Sequence, residues 1–156
     1  MSRTVVVSGG NSGLTQKILV GPYLFRSDEL VDAGVEDSPP SPYELLLAAL
    51  GACTGMTLRA YADRHQWPLE GVQVWLEHSR VDVEGSDAGE STKPRDRIER
   101  GISFVGELSE VQRQTLVKVA NGCSLHRTLT SGVQIDTSVI QQGTGATDLA
   151  TAKGAD

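Results

Sequence analysis

At 156 residues the chain has the length of one domain and can bury a core without disulfides or a metal. Its 20 acidic against 14 basic residues leave a formal net charge of −6, which argues against nucleic acid or an anionic membrane surface as the main partner. With 38% apolar and 4% aromatic residues the core must be aliphatic and alanine-rich, and two cysteines are too few for a disulfide scaffold or an all-cysteine zinc site but enough for one redox pair.

The first elements are short strands. Residues 4–8, 17–20 and 23–26 are β-branched or aromatic runs separated by Gly9-Gly10-Asn11-Ser12-Gly13 and by Gly21-Pro22, both turn compositions. Val5-Val6-Val7 is too short an apolar stretch for a signal-peptide core. A loop from Ser27 to Ser41 follows, carrying Asp28, Glu29, Asp32, Glu36 and Asp37, then Pro39 and Pro40. Ser41 as N-cap, Pro42 as first helical residue and Glu44 three positions after the serine make a capping box, which predicts a helix from Pro42 to about Arg64.

That helix is apolar all round until Arg59, so it must be covered on every side. Its longest uncharged run, residues 45–58, spans 14 positions, short of the roughly 20 a bilayer requires. It therefore reads as a buried helix, and the protein as soluble and cytoplasmic, where a free dithiol stays reduced. Ala48, Gly51, Ala52 and Gly55 recur at spacings of three and four and admit a second helix at close range. Either the same helix of a second chain, related by two-fold symmetry, or the chain's own second helix satisfies this pattern.

Residues 72–83 alternate as a strand, residues 84–97 are polar and read as a loop, and Ile98 with residues 101–105 supplies the partner strand of a hairpin. Residues 94–100 alternate in charge and read as solvated loop and strand edge; His65 and His78 read as exposed. Ser109 caps a second helix over residues 110–121, stopped at Asn121-Gly122. Residues 133–137 form a last expected strand. The single domain is thus expected over residues 1–140, with a small, polar and disordered tail from 141 to 156.

Cys53 lies mid-helix and Cys123 just past the second helix, 70 positions away. A cysteine in Cys53's setting is more often an inert small hydrophobe than a nucleophile. Cys123 sits at a chain reversal beside His126 and Arg127, where nearby cations favour a thiolate. His126 has half of a zinc-ligand spacing and no second local pair, so no metal is expected.

Residues 41–54 (SPYELLLAALGACT), followed by 57–63 (TLRAYAD) and 67–69 (WPL), closely resemble the first signature of the OsmC/Ohr family. Residues 123–129 (CSLHRTL) resemble its second, which usually reads CPVHRTL. The likeness runs from about Val5 to Thr137 and is strongest to the OsmC-like branch. It implies an α+β fold with small antiparallel sheets around a long central helix, an intertwined homodimer, and sites at the subunit interface. It further implies reduction of organic hydroperoxides, with Cys53 peroxidatic, Cys123 resolving, no bound cofactor, and an external lipoyl-type dithiol as reductant.

Keeping Cys53 ionised is the demanding part, since a helix dipole fades within its first turn and an apolar setting disfavours the thiolate. The family's helper arginine follows a glycine pair, where this chain has Asn11; its helper glutamate falls at Tyr43, with Glu44 next. Glu44 and Arg26 are the substitute candidates, Arg127 the next, although Glu44 already has a role in the capping box. A binding protein of the same fold, holding a small apolar ligand beside redox-sensitive cysteines, is the alternative to the peroxidase.

Overall fold

A computed structural model of the protein describes residues 4–29, 38–81 and 94–139. Strands β1 (Val5–Gly9), β2 (Gln16–Val20) and β3 (Tyr23–Ser27) form an antiparallel sheet in that order, with Val5 opposite Val20 and Val20 opposite Tyr23. The tight second turn rests on Gly21 at φ +58°, a conformation that glycine adopts without a Cβ clash. Ser27 anchors the sheet: it is buried, and its hydroxyl donates to the Pro40 carbonyl at 2.9 Å, just ahead of the long helix. Otherwise Val5, Val6, Val7, Tyr23, Leu24 and Phe25 remain 40–63% exposed, an apolar sheet surface that the other described residues leave open.

Helix α1 (Pro42–Arg64) begins as its sequence dictates. The Ser41 hydroxyl accepts the Glu44 N–H at 3.3 Å, and the Glu44 carboxylate accepts the Ser41 N–H at 2.7 Å. Strands β4 (Gly71–Val81) and β5 (Arg95–Val105) form one long hairpin sheet, with Leu76 opposite Arg100 and His78 opposite Ile98. Helix α2 (Glu110–Ala120) repeats the capping-box device with Ser109 and Gln112. A short helix, α3 (Ser124–Ser131), completes the order.

The core gathers Leu58 and Ala62 of α1, Leu69, Leu108, and Leu116 and Ala120 of α2, with Trp67, Val72, Ile102 and Phe104 packed around them. Within α1 the buried residues are Leu50, Thr54, Leu58 and Ala62, one row at a spacing of four. The chain's own α2 therefore covers one side of α1. The opposite side, with Ala48, Ala52 and a 70% exposed Met56, stays open along a groove against β4. By length and composition alone α1 would also pass for a membrane span; in the fold it packs on β4, α2 and α3.

Several sequence expectations change. Residues 95–97 belong to β5 and not to the loop, because Asp96 lies opposite Arg80 (3.6 Å) and charges of opposite sign support the pairing. The rest of the expected loop lies largely outside the described residues, as does the expected tail from 141. No strand forms at residues 133–137: Val133 and Ile135 are 68% and 80% exposed, since alternation without a sheet edge to pair with does not make a strand. His78 is not exposed. Its side chain is 16% accessible, bonded to Asp96 at 2.9 Å and stacked on Tyr43 with ring centroids 4.0 Å apart.

Candidate functional site

The two cysteines, distant in sequence, meet across α1 and α3. Cys123 is the N-cap of α3, its Sγ accepting the His126 N–H at 3.3 Å, and it is buried to 1% accessibility. Cys53 projects from α1 toward the first turn of α3, its Sγ 3.5 Å from the Ser124 hydroxyl. Beside it the Thr54 hydroxyl lies 3.9 Å from the Cys123 Sγ. Consecutive residues of α1 thus face the N-cap and the first residue of α3, and both thiols are free.

This arrangement supplies what the middle of α1 lacks. The Cys53 thiol is held below the ordinary thiol range first by the Ser124 hydroxyl, then by the Leu125 backbone N–H, with the Cys123 side chain and the Ser124 backbone adding less and burial opposing. Backbone N–H groups of a first helical turn have no intrahelical acceptor and carry the positive end of the helix dipole. Cys53 is therefore remote from the ends of its own helix and adjacent to the N-terminus of another. Removing a donor that favours the thiolate raises a thiol's pKa. Ser124→Ala is accordingly expected to move the pH midpoint of Cys53 alkylation upward and to slow alkylation at neutral pH. A midpoint equal to that of wild type would show that Ser124 does not act on the thiolate.

Glu44 is exposed and spent on the cap: its carboxylate lies below the usual range because it accepts the Ser41 backbone N–H, with the Ser41 hydroxyl next. Its contacts are local to the helix start, nine residues before Cys53. Arg26 lies on β3, exposed, beside a shallow depression formed with Ser8, Gly9, Gly10, Ser12, Thr15 and Lys17. Among the described residues none of β1, β2 and β3 packs extensively outside their own sheet, and nothing there brings Arg26 to Cys53. Arg127 is exposed on α3.

Sequence reasoning missed Thr54, Ser124, Arg100 and Asn121. The Arg100 guanidinium donates to Thr54 Oγ1 at 3.0 Å, to the Ala120 carbonyl at 3.4 Å and to Asn121 Oδ1 at 2.8 Å. A signal for it was present: Ile98, Ile102 and Phe104 alternate along β5 and place Arg100 in the same inward row. Arg100 also borders a cavity of about 590 Å³ between α1, the β4–β5 hairpin and α3, with Leu46, Leu50, Ile98 and Leu129 as its apolar wall. Among the described residues no group of three or more histidine, cysteine or acidic side chains is arranged to hold a metal ion.

A family model described as OsmC-like protein matches residues 35–138. No curated protein matches the sequence. Among solved structures, the fold is similar to an OsmC-like protein from Mycoplasma pneumoniae, with TM-score 0.65 and 16% identity over 83% of this chain and 88% of that one. It is also similar to an organic hydroperoxide resistance protein OsmC from Legionella pneumophila, with TM-score 0.60 and 19% identity over 83% and 89% of the two chains. The organic hydroperoxide resistance protein OhrB of Bacillus subtilis gives TM-score 0.60 and 17% identity over 82% and 90%. At these identities the likeness is one of fold.

Proposed function

The chain belongs to the OsmC-like protein family, and from that premise we propose that it reduces organic hydroperoxides with Cys53 and Cys123 as a thiol pair. The observation that carries this reading is the meeting of the two cysteine-bearing segments, with Cys53 set against the donors of α3. The hydroperoxide resistance named for the Legionella pneumophila and Bacillus subtilis proteins supports a redox role.

The Cys53 thiolate attacks the terminal oxygen of the hydroperoxide; the O–O bond breaks, an alcohol leaves with a proton from solvent, and Cys53 becomes a sulfenic acid. The Cys123 thiol then attacks that sulfur, forming the disulfide and releasing water. An external dithiol of the lipoyl type reduces the disulfide and is itself oxidised. Steady consumption of an organic hydroperoxide by wild type with a lipoyl-type dithiol tests the reading; a rate no higher than that of Cys53→Ser overturns it.

A homodimer and a cytoplasmic setting belong to the same proposal. The uncovered apolar sheet and the open Ala48–Ala52–Met56 side of α1 support the dimer, since large exposed apolar faces mark association surfaces. Light scattering is expected to give twice the chain mass at micromolar concentration; a monomer there would remove the dimer from the proposal. Arg26 acts on Cys53 in this scheme only across the subunit boundary, and an unchanged alkylation profile in Arg26→Ala takes it out of the site.

One observation favours a second reading. The side chains lining the large cavity include neither cysteine, so the cavity suits a small apolar ligand independently of redox chemistry. Wild type that consumes no hydroperoxide, yet binds an apolar fluorescent probe as well as Cys53→Ser does, would establish the binding role instead.

A further inference from the structure

Arg100 is out of place by the pattern of its own strand. It occupies the inward row of β5 between Ile98 and Ile102, half-buried, and among the described residues it forms no ion pair. A cation in an apolar row is costly unless its donors are satisfied, and here every acceptor is neutral. Two of them, the Ala120 carbonyl and Asn121 Oδ1, end α2 immediately before the turn that carries Cys123. They alone would make Arg100 a helix C-cap. The third acceptor goes further.

Thr54 has one hydroxyl proton, which it donates to the Leu50 carbonyl at 2.8 Å. Its oxygen then has only acceptor capacity left, and Arg100 takes one share at 3.0 Å. The remaining share faces Cys123 Sγ at 3.9 Å, so in that pair only the cysteine S–H can donate, and Thr54 competes for that one proton with the neighbouring Cys53 sulfur. The sulfur in turn accepts the His126 N–H. Arg100 thus fixes both the acceptor that aims the Cys123 S–H and the turn on which Cys123 sits.

We propose that Arg100 is a positioning residue for the resolving thiol, acting through Thr54 and Asn121 to hold Cys123 in line with an oxidised Cys53. The inference rests on the thiol-pair reading but not on hydroperoxide as the oxidant. In the step it serves, the S–S bond forms as the S–O bond of the sulfenic acid breaks; the thiol proton leaves with the hydroxyl as water, the Cys123 sulfur being oxidised and the Cys53 sulfur reduced. A mixed disulfide on Cys53 is resolved in the same way, with a thiolate as leaving group.

The test uses an aromatic disulfide, dithiobis(nitrobenzoate), which releases one coloured thiolate when Cys53 attacks and a second when Cys123 closes the disulfide. Wild type is expected to show two phases in stopped flow. Arg100→Gln should leave the first within about twofold and slow the second by about tenfold, the scale of losing a charged hydrogen bond. Thr54→Val should also slow the second phase, and the double variant should be no slower than Arg100→Gln alone, because Thr54 acts within the Arg100 network. Arg100→Lys keeps the charge without spanning both acceptors and should recover only part of the rate.

Additive slowing, equal slowing of both phases, or full recovery in Arg100→Lys each overturns the proposal. If Arg100→Gln does not fold, an unchanged second phase in Thr54→Val overturns it. Wild type inert to hydroperoxide but biphasic with the disulfide sinks the peroxidase and leaves Arg100 in its role, whereas a single phase in wild type sinks that role.

Discussion

Cys53→Ser is expected to reduce the consumption of organic hydroperoxide by about three orders of magnitude or more, the scale of removing an attacking nucleophile. A serine hydroxyl at the same place meets the same Ser124 and Leu125 donors, but it does not ionise near neutral pH and cannot be oxidised by a peroxide to a sulfenic acid. Cys123→Ser should behave differently. It retains the attacking thiolate, so one equivalent of hydroperoxide is still reduced, and turnover with the dithiol then falls because the sulfenic acid is not closed to a disulfide. Mass spectrometry after dimedone trapping should find the adduct on Cys53 of Cys123→Ser and little on wild type. An adduct confined to Cys123 in Cys53→Ser would reverse the assigned roles.

The Cys53 shift also has a sign for stability. A thiol whose pKa is depressed by folding contributes stability above its unfolded pKa and loses it as the pH falls through the folded value. The group is partly exposed, so the effect is small beside the activity loss. The sharper consequence is kinetic: alkylation of Cys53 should persist at lower pH than that of an ordinary cysteine.

Gly106→Ala is expected to cost about 3 kcal/mol or more of folding stability. Gly106 follows β5 at φ +123°, where residues bearing a Cβ are strained. An added Cβ there would run into the Pro68 carbonyl oxygen and stand 3.0 Å from the Glu70 nitrogen. The Glu70 nitrogen is not free to retreat, because its N–H donates to the Val105 carbonyl at 2.8 Å. Arg113 fastens the same bend from the other side, donating to the Phe104, Gly106 and Leu108 carbonyls. Gly101→Ala is the control: its Cβ would meet nothing nearer than the Trp75 ring at 4.0 Å, and a change within about 0.5 kcal/mol is expected. Urea midpoints at equal protein concentration and unchanged slope measure both. Equal midpoints for the two variants would contradict the described bend.

The starts of both long helices were legible from their caps, the Ser41–Glu44 capping box and the Ser109 N-cap, to which the structure adds Gln112. Helix α3 was not legible. It has eight residues, and its N-cap is a cysteine, outside the usual serine, threonine, aspartate and asparagine set. Arg100 escaped because the charge alternation of residues 94–100 resembles a solvated loop and masks the Ile98, Ile102 and Phe104 alternation that places it in the inward row of β5. His78 escaped for a related reason, since its burial comes from the Tyr43 ring of α1 and the Asp96 carboxylate across the hairpin.

The sequence by itself determined what short-range forces decide: where the long helices begin, the strand alternation, the two cysteine signatures and, through them, the family. It could not determine which groups surround Cys53. By local position Cys53 is a mid-helix thiol in need of a distant arginine, and the tertiary structure instead sets it against the Ser124 hydroxyl and the first-turn amides of α3. That difference follows from the physics of the contact. Hydrogen bonds act over about 3 Å, so the chemistry of a residue is set by what the packing of α1 on α3 brings within reach across 70 positions of chain.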